Sequence, residues 1–130
     1  MSATRMVVVP SPMPVVLAQP GKDPKNNDEL TVRVNPGTIR LGSKPYRVKQ
    51  VMWINETGDD VIFTFDPNGS GKFFNNPPKG PFRVKLGDPP FTLTVSDSAP
   101  ENCLYKYHVD CNATPGVPAQ GNSEPEVSCP

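Results

Sequence analysis

The chain is poor in the residues from which most catalytic and metal sites are built. Its 130 residues include one histidine, one tryptophan and three cysteines. A single imidazole cannot supply a site that needs two histidines within one chain. There is no G-x-S-x-G elbow, no Walker loop, no G-x-G-x-x-G and no C-x-x-C pair. Serine-nucleophile, nucleotide-binding and dithiol-motif chemistries therefore have no local signature to rest on. Net charge is missing as well, because 13 basic residues meet 13 acidic ones. A nucleic-acid binder needs a basic excess to displace counterions from phosphates, and a polybasic membrane patch needs one for the same reason. No apolar run reaches the roughly 20 residues of a spanning helix, so neither nucleic-acid binding nor a membrane span is expected.

What is plentiful is proline, at 18 residues. An interior proline removes a helical donor and clashes with the preceding turn. With no sustained helical period either, the composition points to an all-β chain with proline-rich connections. The length supports one domain with one core. The odd cysteine count leaves at least one thiol outside any intrachain bridge and does not set the compartment. N-x-S/T sequons occur at Asn55, Asn68 and Asn112.

Residues 1–19 carry one arginine and then VVVPSPMPVVLAQ. Pro10, Pro12 and Pro14 interrupt the apolar core that a secretion signal requires. The expectation is a flexible, proline-rich N-terminal tail over residues 1–29, with a degenerate signal ending near Ala18 as the alternative. The polar, breaker-rich PGKDPKNND stretch sets the boundary, and residues 30–130 are expected to form the folded domain.

Short alternating segments follow. Val32 and Val34 flank Arg33, and Ile39 and Leu41 flank Arg40. Val61, Phe63 and Phe65 share one face, as do Phe82, Val84 and Leu86, then Phe91, Leu93 and Val95. Residues 46–55 (YRVKQVMWIN) contain a conflict of parity: if Arg47 and Lys49 face outward, Val51 and Trp53 do too. A bulge after Lys49 resolves it. Residues 72–81 read as a loop that tucks one of Phe73 and Phe74 against the core.

The stretch CLYKYHVDC, from Cys103 to Cys111, alternates an aromatic, cysteine-edged face with a mostly charged one. An antiparallel pairing of Leu104–Val109 with Glu124–Cys129 places Cys129 near Cys103, and their disulfide is expected if the compartment oxidises. Cys103 and Cys111 cannot bridge within one strand, since eight residues span about 26 Å. Seven or eight short strands separated by turns read as a β-sandwich.

VMWINETGDDVIFTF, PFRVKLG, LYKYHVDC and SEPEV together resemble the cupredoxin-like Greek-key sandwich. In that family a strand ending in an aromatic, a hydrophobic residue and Asn leads to a loop with a histidine ligand. A later aromatic-x-aromatic strand delivers a ligand cysteine, then a second histidine and usually a methionine. The resemblance puts the first histidine in the turn at residues 56–61, which has none, and the cysteine at Val109. Residues 110–120 hold neither histidine nor methionine. The chain thus resembles copper-free cupredoxin-like proteins.

Each remaining chemical candidate has a plainer alternative. His108 is a metal ligand or base, perhaps with Cys111, or an exposed residue sharing the parity of Lys106 and Asp110; parity favours the second. Cys111 is a displaced thiolate ligand, a small buried apolar residue at the strand's end, or half of a disulfide. Glu56, Asp59 and Asp60 hold a hard cation or decorate a solvated turn, the plainer choice. The expected function is a non-enzymatic binding or structural module with no metal, cofactor or catalytic residue, recognising a protein partner through residues 68–81 and 112–123. Its alternative is an atypical copper or electron-transfer protein using His108 and Cys111.

Overall fold

The computed structural model describes residues 12–22, 30–44, 46–78, 80–111 and 125–129. Ten strands lie among them: β1 Val15–Lys22, β2 Leu30–Asn35, β3 Thr38–Arg40, β4 Gln50–Asn55, β5 Val61–Thr64, β6 Phe82–Val84, β7 Phe91–Thr94, β8 Cys103–Lys106, β9 His108–Cys111 and β10 Glu126–Cys129. The fold is all-β, with three sheets ordered β2-β1-β4-β7, β3-β10-β8 and β6-β5-β9. Only Tyr107 separates β8 from β9, so the two three-stranded sheets meet along one run of chain. Two pairings are parallel, β1 with β4 and β3 with β10. The core takes Val16, Val32, Val51 and Trp53 from the four-stranded sheet and Ile39, Phe63, Val109 and Val127 from the others, an arrangement compatible with a β-sandwich.

The expected tail over residues 1–29 is corrected over residues 15–22, while residues 1–11 and 23–29 lie outside the described residues. Val15–Lys22 is a strand, antiparallel to β2 and parallel to β4, and Val16 and Ala18 are fully buried. The reason is local: β4 pairs with β1 only over Val15–Ala18, so Pro20 lies beyond that ladder and its missing N–H is not needed there. This strand and the break at Tyr107 raise the expected count of seven or eight.

The parity conflict in residues 46–55 resolves where expected. Lys49 and Gln50 are both exposed, after which Val51 and Trp53 turn inward. Arg47 differs from the expectation of an outward side chain, being only 8% exposed. Phe73 and Phe74 also differ, since both rings are buried rather than one. A 3-10 turn at Ser70–Phe73 follows Asp66, whose carbonyl accepts from Gly69 N at 2.9 Å and Gly71 N at 2.8 Å. The chain then hydrogen-bonds along β7, with Asn75 N donating to Thr94 O at 2.9 Å and Ser96 N to Phe73 O at 2.8 Å. This covers the outer edge of β7, which would otherwise offer unpaired backbone groups.

Candidate functional site

Two places concentrate polar chemistry. The first is the end of the fold where β4 leaves through the turn at residues 56–60. Asn55 organises it: its Nδ2 donates to Asp59 O at 2.9 Å and to Val84 O at 3.3 Å. Its Oδ1 accepts from Thr57 N at 3.0 Å and from the Thr57 hydroxyl at 2.6 Å. Glu56 N donates to Ala18 O at 2.8 Å, which ties the turn to β1. Asp59 Oδ1 accepts from Asp60 N, and Asp60 Oδ1 from Leu86 N, each at 2.8 Å. These carboxylates serve as turn acceptors. No group of three or more His, Cys, Asp or Glu residues with metal-binding geometry occurs among the described residues.

The positions that the cupredoxin resemblance assigns to copper ligands do not fit the metal. Val109 occupies the cysteine position, is 1% exposed and pairs with Phe63 across β9 and β5. A valine has no donor atom. His108 stands opposite Thr64 on the exposed side of the same strand. The backbone of Cys111 pairs with Val61 at the end of β9, and its side chain lies outside the described residues, as do residues 112–124. His108 and Cys111 are separated by about 10 Å of extended backbone.

Beneath this end lies an aromatic core. Trp53 is centred on it, with Phe65 at 5.5 Å, Phe74 at 5.8 Å, Phe91 at 5.4 Å and Tyr107 at 6.1 Å between ring centroids. Trp53 Nε1 donates to Tyr107 Oη at 3.3 Å, which satisfies the buried indole N–H. Burial pushes the Tyr107 phenol well above its ordinary value, against a smaller opposing effect of that hydrogen bond. The Phe82 ring, 38% exposed, lies tilted 4.8 Å from Phe91 between centroids, and Leu86 is 61% exposed.

The second polar place was not read from the sequence. Arg47 enters the fold between residues 42 and 99, its Nε donating to Gly42 O at 3.3 Å and its Nη1 to Ala99 O at 3.5 Å. Nη2 has no hydrogen-bond partner and lies 3.7 Å from the carboxylate of Glu101, whose side chain is 57% exposed. Cys103 and Cys129 sit directly opposite each other where β8 pairs with β10. Both are free thiols, Cys129 buried and Cys103 half-buried. Burial raises the Cys129 thiol, with the Arg47 and Lys44 cations pulling it down and Glu101 and Cys103 adding to the rise. Alternation could have flagged Arg47 only by showing that it broke the pattern, because a buried guanidinium and an exposed one look alike in sequence.

Among the described residues, no helix is long and apolar enough to cross a membrane. Comparison of the chain with protein-family models, with curated proteins and with solved structures found no match in any of the three.

Proposed function

We propose that this protein is a non-enzymatic binding or structural module, a Greek-key sandwich of cupredoxin-like kind that has no type 1 copper site. The observation that carries this reading is Val109, buried against Phe63 at the position where the resemblance calls for a thiolate. The whole chain holds one histidine, and blue-copper coordination uses two imidazoles and a thiolate. The strand end Trp53-Ile54-Asn55 and the aromatic pair Tyr105 and Tyr107 support the family reading, since the first leads into a turn and the second sits in the strand expected to carry the ligand. Recognition falls to the loops that the rigid core displays. In residues 68–81, buried Phe73 and Phe74 anchor a segment whose Asn68, Asn75 and Asn76 are exposed. The adjoining Phe82 and Leu86 add exposed apolar surface for a protein partner.

The test is a Cu(I) and Cu(II) titration of the reduced chain, followed by absorption and native mass spectrometry. The expected result is no stoichiometric copper and no thiolate-to-copper band. A stoichiometric band lost in His108→Ala or Cys111→Ser overturns the proposal in favour of copper binding through relocated ligands.

A further inference from the structure

The pairing of β8 with β10 brings two thiols into register with no other residue between them. Cys103 is the Cα partner of Cys129. Tyr107 N donates to Pro125 O at 3.0 Å just beyond the two strands. Counting from there, the alternation of an antiparallel ladder makes Cys103 and Cys129 a hydrogen-bonded pair, with Cα atoms about 5.5 Å apart. That separation lies inside the range spanned by disulfides. Directly opposed residues also point to the same face, and both of these pack on the core.

Neither sulfur is held firmly elsewhere. Cys103 Sγ donates to Glu101 O at 3.1 Å and Cys129 Sγ to Gly42 O at 3.9 Å, and a thiol is a weak donor. The two sulfurs differ in access, with Cys103 half-buried and Cys129 1% exposed. The Arg47 guanidinium, ion-paired to Glu101 at 3.7 Å through Nη2, is a largely buried positive group whose charge acts on the Cys129 thiol against the larger upward effect of burial. Such a cation favours a thiolate during exchange.

We propose that Cys103 and Cys129 form a reversible dithiol–disulfide site, oxidised by small-molecule disulfides of the glutathione type. Cys103, the accessible sulfur, attacks the external disulfide as its thiolate and releases one small thiol, leaving a mixed disulfide. Cys129 then attacks the Cys103 sulfur and expels the second small thiol. One external disulfide is reduced to two thiols while two protein thiols become one cross-strand disulfide. The two protons lost by the protein thiols end on the released small thiols. The product staples β8 to β10, and β10 also pairs with β3, so three strands are fixed at once.

The experiment equilibrates the reduced full chain in defined mixtures of oxidised and reduced glutathione, quenches in acid, and alkylates the remaining thiols. The expected outcome is loss of two alkylatable thiols of the three, no retained glutathione, and a link between the peptides carrying Cys103 and Cys129. Cys111→Ser is expected to keep that link. Cys129→Ala is expected to accumulate a glutathione adduct on Cys103, and Cys103→Ala to leave Cys129 unmodified in the folded chain. Glutathione retained on Cys103 of the unsubstituted protein, a link through Cys111, a link between chains, or no oxidation at any ratio each overturns the proposal. The wild-type and Cys111→Ser measurements decide it even if the Cys129→Ala chain does not fold.

Discussion

Trp53 and Tyr107 join the sheets through a buried hydrogen bond, the indole N–H donating to the phenol oxygen at 3.3 Å. The tyrosine ring also stacks on Phe65 at 5.3 Å. Replacing Tyr107 with Phe keeps the packing and removes the acceptor. The orphaned indole N–H then costs about 1–3 kcal/mol. The midpoint of urea unfolding, followed by the fluorescence of the single tryptophan, should fall accordingly.

The same residue gives the fold an alkaline limit. Burial raises the Tyr107 phenol above its ordinary value of about 10. Between those two values the unfolded chain has released a proton that the folded chain still holds. Stability is therefore complete below about pH 10 and declines as the pH climbs past it. Urea unfolding across pH 8 to 11.5 should show this decline, and Tyr107→Phe should show a shallower one. An unchanged slope in the variant would mean that other groups set the limit.

Arg47 and Glu101 form an unequal pair at 3.7 Å, one side chain 8% exposed and the other 57%. Removing the exposed partner leaves Arg47 its two carbonyls, so Glu101→Gln should change stability by less than about 1 kcal/mol. Arg47→Ala removes the guanidinium donors from the Gly42 and Ala99 carbonyls, leaves Gly42 O only the weak thiol contact of Cys129, and vacates a buried position. A loss of about 2–4 kcal/mol is expected. Comparable effects from the two variants in the same denaturation series would contradict the geometry.

Residues 15–18 are in the core of a sheet, and their removal should be felt as such. A chain beginning at residue 20 lacks the part of β1 that pairs with β4 and leaves Val34 and Trp53 without Ala18 and Val16 beside them. It should lose cooperative unfolding by circular dichroism, whereas the full chain keeps it. Why this strand was hidden is clear from its outer face. Val15 stands beside Met52 and Leu17 beside Ile54, so both faces are apolar and the period-2 signal vanishes into the run VVLA. The prolines just upstream then read as a stiff tail. Strands with a polar face were legible, as in Phe91–Thr94, where Thr92 and Thr94 alternate with Phe91 and Leu93. The pairing of Cys103–Lys106 with β10 was legible in direction but one residue out of register, since Ser128 and not Cys129 stands opposite Leu104, and Val109 pairs with β5 instead. The Arg47 site was not legible because its partners are the carbonyls of Gly42 and Ala99. Main-chain atoms carry no sequence label.

Gly71 tests the excursion that bears the exposed asparagines. A β-carbon there would lie 2.9 Å from the carbonyl oxygen of Asp66. That oxygen belongs to the backbone and already accepts from Gly69 N and Gly71 N, so it cannot yield without opening the turn. Gly71→Ala should cost about 1–3 kcal/mol, in line with other overpacked sites. The loss should be accompanied by faster amide exchange at Asn75 and Ser96, whose N–H groups bond the excursion to β7. Gly58, beside which a β-carbon meets nothing within 4 Å, provides the control, and Gly58→Ala should leave both stability and exchange near the unsubstituted values. If the two variants behave alike, the packing of Gly71 against Asp66 is not what holds the excursion in place.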